Sequence, residues 1–259
     1  MAINQTENLF DDFAADYDRM INWEERLRRE APLYRKVFSD TGATRVLDTA
    51  CATGQHAIMF SSWGLEVAAS DISSDMIAAA QRNAEEAGGT IDFKTAGLAE
   101  IDRVFSPGFD VVNCMGNSLP HLKSKESLLK AFSSVAGVLK PGGFFLLQVR
   151  NYHRVYARNE RFMPLNSRAE GDREYLYLRM IDLGEEFLNF NIVVLAKNEA
   201  GKWSYRVESE KLKPWKFSDI EPCLQKNGFA VSGVFGDFGF GPFEPLESTD
   251  LIVIARKNG

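Results

Sequence analysis

Cysteine and histidine are both scarce in this chain, which has three of each among its 259 residues. Cys51, Cys114 and Cys223 are widely spaced and form no CxxC pair. A disulfide framework typically uses an even number of cysteines, and a structural zinc site uses closely spaced ligands. The sequence therefore predicts neither a disulfide framework nor a metal site. It favours a reducing compartment, the cytoplasm, as the location of the protein.

Long apolar runs are also missing. No stretch approaches the roughly 20 apolar residues of a transmembrane helix, and residues 1–18 are polar and acidic where a signal peptide has its apolar segment. Basic residues are in the minority, with 30 Lys and Arg against 36 Asp and Glu, so the formal net charge is −6. Because an acidic surface repels phosphate backbones, we expect neither a membrane nor a nucleic acid as a partner.

The composition that is present suits a globular protein. Hydrophobic residues make up 45% of the chain and charged residues 25%, which is enough for a sizeable core. From residue 45 to residue 150, apolar segments alternate with helical patterns, as is typical of βαβ units and a parallel sheet. The predicted strands of this part are 45–50, 66–71, 91–96, 109–115 and 144–150.

The pattern changes after Arg150. Period-two alternation interrupted by glycine turns predicts an antiparallel meander of strands 174–182, 186–197 and 202–213. A helix over 217–229 follows. The last two predicted strands, 229–237 and 250–256, are spaced to form a hairpin.

These elements predict an α/β fold with a Rossmann-like, mostly parallel sheet, an antiparallel last strand, a helical N-terminal lid and an antiparallel β insertion. Residues 1–259 would form a single domain, since no repeat or low-complexity tract divides them. Its predicted segments are a helical lid at 1–40, a cofactor-binding core at 41–150, an insertion at 151–215 that shapes the substrate site or forms a homo-oligomer contact, and a closing helix and β-hairpin at 216–259.

The segment VLDTACATG (46–54) reads as a strand, a turn of small residues and a helix start. In such a turn, backbone N–H groups and a helix N-terminus can approach a ligand closely. Asp48 precedes the turn, where it would repel a pyrophosphate and attract a cationic amino-acid group. Asp71 ends the next strand, where a carboxylate can accept hydrogen bonds from both hydroxyls of a ribose. The turn supplies Ala50, Ala52 and Gly54 rather than G-x-G-x-x-G, so the segment favours S-adenosylmethionine over a dinucleotide.

The stretch VLDTACATGQHA resembles the VLDxxCGTG motif of class I S-adenosylmethionine-dependent methyltransferases. The family usually has glycine where Ala50 and Ala52 stand. A methyl group at these positions would reduce cofactor affinity unless the turn avoids positive φ there, and we expect that it does. The resemblance implies transfer of a methyl group to a small-molecule acceptor, with S-adenosylhomocysteine as the product.

Two further segments, NCMGNSLPHL (113–122) and VRNYHRV (149–155), resemble glycine and glycine/sarcosine N-methyltransferases. This resemblance implies that Asn117 and Arg150 contact the carboxylate and amine of the acceptor. It also implies contacts to the cofactor. Arg26 would bind the methionine carboxylate, and Met115 (through its carbonyl) and His121 would lie near the methionine and ribose. Gly97 and Leu98 would hold the adenine, and Ile72 and Met76 are further predicted cofactor contacts. The chain departs from the family at Lys213-Pro214-Trp215, where the family supplies tyrosines, and at His153, where it has aspartate.

The residues support the same placement on physical grounds. Arg150 ends a parallel strand at its carboxyl edge, where an arginine fork can clamp a carboxylate with two charge-assisted hydrogen bonds. Asn117 offers an amide oxygen that can orient an N–H group, and Tyr17 and Tyr152 could line the pocket. No carboxylate–histidine pair stands out, so we expect methyl transfer by orientation, worth about 7–11 kcal/mol, without a dedicated base.

Other interpretations remain open at this point. The acceptor could be methylated at oxygen or carbon. An RNA- or protein-directed enzyme could use the row of Arg150, Arg154, Arg158 and Arg161. A non-catalytic module could bind the cofactor alone. Structural roles are the alternatives for single residues. Arg150 would then be a surface ion-pair partner, His121 a turn histidine and Arg26 part of a solvated helix face.

Overall fold

The computed structural model describes residues 13–259, so the part of the predicted lid that precedes residue 13 lies outside the described residues. Two helices come first, α1 (Ala14–Met20) and α2 (Trp23–Thr41). The side chain of Asn22 caps α2, and Gly42 ends it in the left-handed conformation that glycine adopts without strain. Leu33, Tyr34 and Val37 recur at helical spacing and are buried, which confirms the predicted helical lid.

The main sheet is built from strands whose apolar side chains are almost completely buried. Its first five strands are β1 (Arg45–Thr49), β2 (Glu66–Asp71), β3 (Asp92–Thr95), β4 (Phe109–Cys114) and β5 (Leu139–Arg150). The helices between them are α3 (Gln55–Ser62), α4 (Ser74–Glu86), α5 (Ile101–Val104) and α6 (Lys125–Val138), with a 3-10 helix at Leu119–His121. Strand β5 begins at Leu139 rather than at 144, because Leu139 still pairs with Phe109 of β4.

The insertion forms a second, antiparallel sheet after helix α7 (Tyr152–Ala157). Its strands are β6 (Asn166–Glu170), β7 (Arg173–Asp182), β8 (Leu188–Lys197) and β9 (Trp203–Leu212), paired in that order. The predicted meander is confirmed, but β6 was missed, because its side chains are mostly exposed and show no apolar alternation. On the inner face, Tyr177, Ile192 and Val194 pack against Phe13 and Met20 at helix α1.

Helix α8 (Phe217–Lys226) and strands β10 (Phe229–Phe235) and β11 (Asp250–Lys257) close the chain. The order of the main sheet is β10-β11-β5-β4-β1-β2-β3. Strand β11 runs antiparallel to both of its neighbours, and the other pairs are parallel. The predicted Rossmann-like sheet with an antiparallel last strand is thus confirmed, while the boundaries of the four segments stay predictions. No helix among residues 13–259 is both long and apolar enough to span a membrane.

Candidate functional site

A cavity of about 950 Å³ opens at the carboxyl ends of the parallel strands, under helices α1 and α2 and beside the inner face of the insertion sheet. Ligand pockets of proteins span roughly 300–1,000 Å³, so this one is large. Most of the predicted site residues line it: Tyr17, Arg26, Ala50, Ala52, Asp71, Ile72, Met76, Gly97, Leu98, Asn117, His121, Arg150 and Tyr152. Asp48 and Met115 line a smaller adjoining cavity together with Tyr17, Arg26 and Ala50.

Gly54 lines neither cavity but is required by packing. Its φ is +82°, and a Cβ at this position would lie 2.9 Å from the Cβ of Ala80. The role of this glycine is to let helix α3 begin close to helix α4.

The turn after β1 corrects one prediction. Ala50 and Ala52 have φ of 51° and 48°, so both adopt the left-handed conformation that we expected them to avoid. The hydrogen bonds of the turn impose it, because the Ala52 N–H donates to Asp71 Oδ2 (2.9 Å) and the Cys51 N–H donates to the Ser70 carbonyl (2.9 Å). An L-residue in this region costs about 1–2 kcal/mol, so the turn is held against local strain.

Asp48 presents a buried carboxylate oxygen. Its Oδ1 accepts a hydrogen bond from Asn113 Nδ2 (2.7 Å), whereas its Oδ2 is buried without a partner among the described residues. Burial raises the pKa of Asp48, while the charges of His56 and Arg26 and the hydrogen bond from Asn113 oppose the rise. A buried carboxylate is costly unless a cation or a donor compensates it, so Oδ2 suits a cationic ligand group.

Asp71 has a structural role in addition to the predicted one. Its Oδ2 accepts from the Ala52 N–H, and its Oδ1 accepts from the Ser73 N–H (3.0 Å), so it holds together the loops after β1 and β2. Ser73 in turn caps helix α4 by accepting from the Met76 N–H. Contact between Asp71 and a ribose stays a prediction.

An apolar slot lies beyond Asp71. Ile72 is 62% exposed although it is apolar, and it lines the cavity together with Leu98. A Cβ at Gly97 would approach Ile72 Cδ1 to 3.4 Å, so the glycine leaves room beside this side chain. Apolar side chains that line an open cavity suit the face of a flat ring, as an adenine would be.

A buried ion cluster supports the lid side of the cavity. Arg26 Nε donates to Glu30 Oε1 (3.0 Å), and His56 Nε2 shares a hydrogen bond with Glu30 Oε2 (2.8 Å). Burial alone would raise the pKa of Glu30, but the hydrogen bond from His56 and the charge of Arg26 outweigh it and hold this pKa at about 2. Arg26 is therefore not part of a solvated helix face. Glu30 and His56 also form a carboxylate–histidine pair, contrary to our expectation. Both carboxylate oxygens of Glu30 are already bonded within the protein.

The guanidinium of Arg26 faces the loop after β4. A Cβ at Gly116 would lie 3.0 Å from Arg26 Nη2, so glycine makes this approach possible. Tyr17 is close by, and burial raises its pKa against the charge and hydrogen bond of Arg26. In the same loop the Met115 carbonyl, predicted as a cofactor contact, accepts a hydrogen bond from Ser118 Oγ (3.0 Å).

Asn117 joins the ends of β4 and β5. Its Oδ1 accepts from the Arg150 N–H (2.9 Å) and from the Tyr152 hydroxyl (3.1 Å). We predicted that this oxygen would orient an acceptor N–H, and the structure corrects that detail because both bonds are made within the protein. The Nδ2 group is the part of Asn117 that can face a ligand. Burial raises the pKa of Tyr152 to about 12, so its hydroxyl stays protonated.

Arg150 differs in its ion pairing from Arg154, Arg158 and Arg161, the other arginines of its row. Its Nε is buried without a partner, and none of the carboxylates in residues 13–259 lies within ion-pair distance of it. Arg154, Arg158 and Arg161 instead pair with Glu160, Glu247 and Asp182. The row is not a continuous basic patch, which removes the feature that motivated an RNA- or protein-directed enzyme.

His121 and the segment at 213–215, which the sequence singled out, lie in the following surroundings. His121 lies on the 3-10 helix and lines the cavity, and burial lowers its pKa with Lys123 reinforcing and Glu210 opposing the effect. Trp215 is buried and donates from Nε1 to the Leu122 carbonyl (2.9 Å), and Lys213 pairs with Glu186. Arg179 on β7 was missed, although it lines the same cavity as Arg150.

Comparisons with known proteins agree with this geometry. A family model described as a methyltransferase domain matches residues 46–143, which run from β1 into β5. A glycine/sarcosine N-methyltransferase of Parasynechococcus marenigrum is 34% identical over 90% of this chain and 79% of the relative. Another, from Aphanothece halophytica, is 35% identical over 54% of this chain and 53% of the relative. The structure of an S-adenosylmethionine-dependent methyltransferase from Clostridium acetobutylicum matches with a TM-score of 0.77 at 16% identity, over 97% of this chain and 100% of that one.

Proposed function

Because the chain belongs to the class I S-adenosylmethionine-dependent methyltransferase family, we propose that it methylates the amine of a small amino-acid-like acceptor, such as glycine or sarcosine. The observation that carries the proposal is Arg150 at the carboxyl end of β5, whose buried Nε has no partner among the described residues. An arginine in this state binds a carboxylate bidentately. The glycine/sarcosine enzymes similar to this chain act on acceptors that have one beside the amine.

The residues present fit the cofactor. We assign Asp48 Oδ2 to the ammonium of its methionine part, Arg26 to the methionine carboxylate and Asp71 to the ribose. Ile72 and Leu98 would lie against the adenine. The cofactor supplies an electrophilic methyl group on a positively charged sulfur. The lid holds this end of the site in place, because Glu30 fixes Arg26 and Asp18 accepts hydrogen bonds from Trp23 Nε1 and Thr53 Oγ1.

On the acceptor side, the chain would act by positioning. Arg150 would fix the carboxylate, and Asn117 Nδ2 would donate a second hydrogen bond to the acceptor. The hydrogen bonds from the Arg150 N–H and the Tyr152 hydroxyl to Asn117 Oδ1 keep this group rigid. Apolar side chains of the insertion sheet, such as Ile181 and Phe190, line the opposite side and exclude water. Orientation of this kind contributes about 7–11 kcal/mol.

Transfer of labelled methyl from S-adenosylmethionine to a panel of acceptors tests the proposal. The panel contains glycine, sarcosine, dimethylglycine, simple amines and phenols. We expect turnover of a carboxylate-bearing amine, and a fall in kcat/KM of roughly 30-fold or more in Arg150→Met, since truncating a desolvated ion pair costs about 2–5 kcal/mol.

Arg158→Met is the matched control, because Arg158 is a half-exposed arginine paired with Glu247. It should leave turnover unchanged, and both variants should bind S-adenosylhomocysteine like the wild type. Transfer confined to phenols or to amines without a carboxylate would contradict the proposal and favour an O-methyltransferase or another acceptor class.

A further inference from the structure

Arg179 is a cation whose immediate neighbours on the inner face of the insertion sheet are buried and largely apolar. It lies on β7 between Tyr177 and Ile181, which share its face of the strand and are buried. Its register partner on β8 is Ile192, which is also buried. A charged side chain on such a face costs free energy unless a partner compensates its charge.

No carboxylate provides that compensation among residues 13–259. Arg179 Nη2 donates to two neutral oxygens, the Pro164 carbonyl (3.3 Å) and Asn166 Oδ1 (3.2 Å). Its Nε is buried, with no partner in the part of the chain that the structure describes. Glu210, the cavity-lining acid of the insertion sheet, is paired with Lys123 (2.8 Å). The neutral contacts fix the guanidinium in place but leave its charge unbalanced.

Arg150 is another cavity-lining arginine, and like Arg179 it has no ion-pair partner among residues 13–259. Asp250, its register partner on β11, accepts hydrogen bonds from Gln148 Nε2 and Thr249 Oγ1 rather than pairing with it. Burial lowers the pKa of Arg179, and the nearby charge of Arg150 lowers it further, although an arginine still remains charged. Two nearby guanidinium groups without carboxylate partners make this part of the cavity positively charged, which suits an anion.

We propose that Arg179 is a second anion contact of the acceptor site, and that the acceptor is an amine with two acidic groups, such as a dicarboxylic amino acid. One carboxylate can occupy the fork of only one arginine in a bidentate manner, so the second guanidinium calls for a second negative charge. The cavity of about 950 Å³ is large enough for an acceptor longer than glycine beside the cofactor. The inference rests on the proposed function for its amine, but its anion site can be tested without methyl transfer.

The first test is binding to the protein saturated with S-adenosylhomocysteine, in which no transfer occurs. Dicarboxylates from succinate to adipate are compared with monocarboxylates of equal length by calorimetry. We expect the wild type to bind the best dicarboxylate roughly tenfold or more tightly than its monocarboxylate partner. Arg179→Gln should lose this preference and keep the monocarboxylate affinity, and Arg179→Lys should retain part of it.

Arg168→Gln is the matched control, because Arg168 lies exposed on β6 of the same sheet. It should bind like the wild type. Equal losses of both ligand classes in Arg179→Gln would identify a structural role and overturn the inference. A wild type that binds dicarboxylates no more tightly than monocarboxylates would also overturn it.

Turnover separates this inference from the proposed function. The wild type should methylate aspartate or glutamate with a higher kcat/KM than glycine, and Arg179→Gln should reduce the difference. Methylation of glycine without any dicarboxylate preference would leave the proposed function standing and remove the second anion contact. Dicarboxylate binding through Arg179 without methylation of any amine would keep the second anion contact and contradict the proposed function.

Discussion

The two sides of the cavity treat charge in opposite ways. On the cofactor wall (Arg26, Glu30, Asp48, His56 and Asp71), Arg26 and His56 are bonded to Glu30, and Asp71 accepts two backbone N–H groups. Among the described residues, Oδ2 of Asp48 is the one carboxylate oxygen of this wall that is buried without a partner. On the acceptor wall (Asn117, Arg150, Tyr152 and Arg179), the two arginines have none of opposite charge among the described residues. Apart from that oxygen, the cofactor wall has its charges compensated before a ligand binds, whereas the acceptor wall depends on its ligand for compensation.

This difference has an energetic meaning. A closed cluster of charges adds to the stability of the fold, and it holds its ligand contacts in position in advance. Charges left open lower the stability of the fold, but they contribute to affinity when a ligand of opposite sign binds. Substitutions on the cofactor wall should therefore change stability, and substitutions on the acceptor wall should change substrate choice.

The largest effect is expected at the centre of the cofactor wall. Glu30→Gln removes the counter-ion of Arg26 and leaves a buried cation, so the free energy of unfolding should fall by about 3 kcal/mol. Urea denaturation at pH 7 measures it. Glu24→Gln, an exposed substitution in the same helix, should change stability by less than about 1 kcal/mol.

Acid sharpens this prediction. The pKa of Glu30 is about 2 in the folded protein and would be about 4.3 in the unfolded chain. A lowered folded-state pKa stabilises the protein above the unfolded value, and this contribution is lost as the pH falls toward the folded one. The stability difference between wild type and Glu30→Gln should thus shrink between about pH 4.5 and 2. A difference that stays constant over this range would assign the loss to packing.

A smaller effect is expected at Asp48, the one carboxylate of the cofactor wall with a buried open oxygen. Asp48→Asn should weaken S-adenosylhomocysteine binding by about 2 kcal/mol, or about 30-fold, because the ligand ammonium loses a charged partner. Calorimetry with 5′-methylthioadenosine is the control, since that ligand lacks the amino-acid part. Equal losses for the two ligands would show that the substitution disturbs the turn rather than an ammonium contact.

The smallest effect is expected in the turn. Ala52→Gly should raise the free energy of unfolding by up to about 1 kcal/mol, because relief of a left-handed alanine exceeds the added chain entropy. Ala78→Gly, in the regular helix α4, should lower it by about 1 kcal/mol. A loss of stability in both variants would mean that the turn is not strained.

The cofactor wall was largely predictable because its elements are local in sequence. A strand, a turn and a helix start within residues 46–54 place Asp48 and the two alanines together, and a parallel neighbour brings Asp71 to the same edge. The signs of φ at Ala50 and Ala52 were not predictable, since they follow from a hydrogen bond to Asp71, a residue of another strand. Tertiary contacts overrode the preference of alanine.

The missed residues depend on contacts between distant segments, but each had a local signal. Glu30 lies at helical spacing with Leu33, Tyr34 and Val37, so it falls on the buried face of α2. Arg179 has the same strand parity as Tyr177 and Ile181, so it faces inward. In both cases a charged residue lies where the period of the helix or strand otherwise places apolar residues, and this pattern would have identified both. The partner of Glu30, His56, could not be inferred in this way.

The acceptor wall combines Arg150 of the main sheet with Arg179 of the insertion sheet, and this has a consequence for redesign. The edge that would receive the methyl donor belongs to the main sheet, while Arg179 and its apolar neighbours belong to a sheet inserted between β5 and α8. New acceptors can therefore be sought by changing inward positions of β7 and β8 while the donor machinery is left untouched. Helix α1 limits this freedom, because Asp16 accepts a hydrogen bond from Tyr177 and Asp18 accepts one from Thr53. A library that keeps these two hydrogen bonds would vary the acceptor while helix α1 stays bonded to both the insertion sheet and the turn after β1.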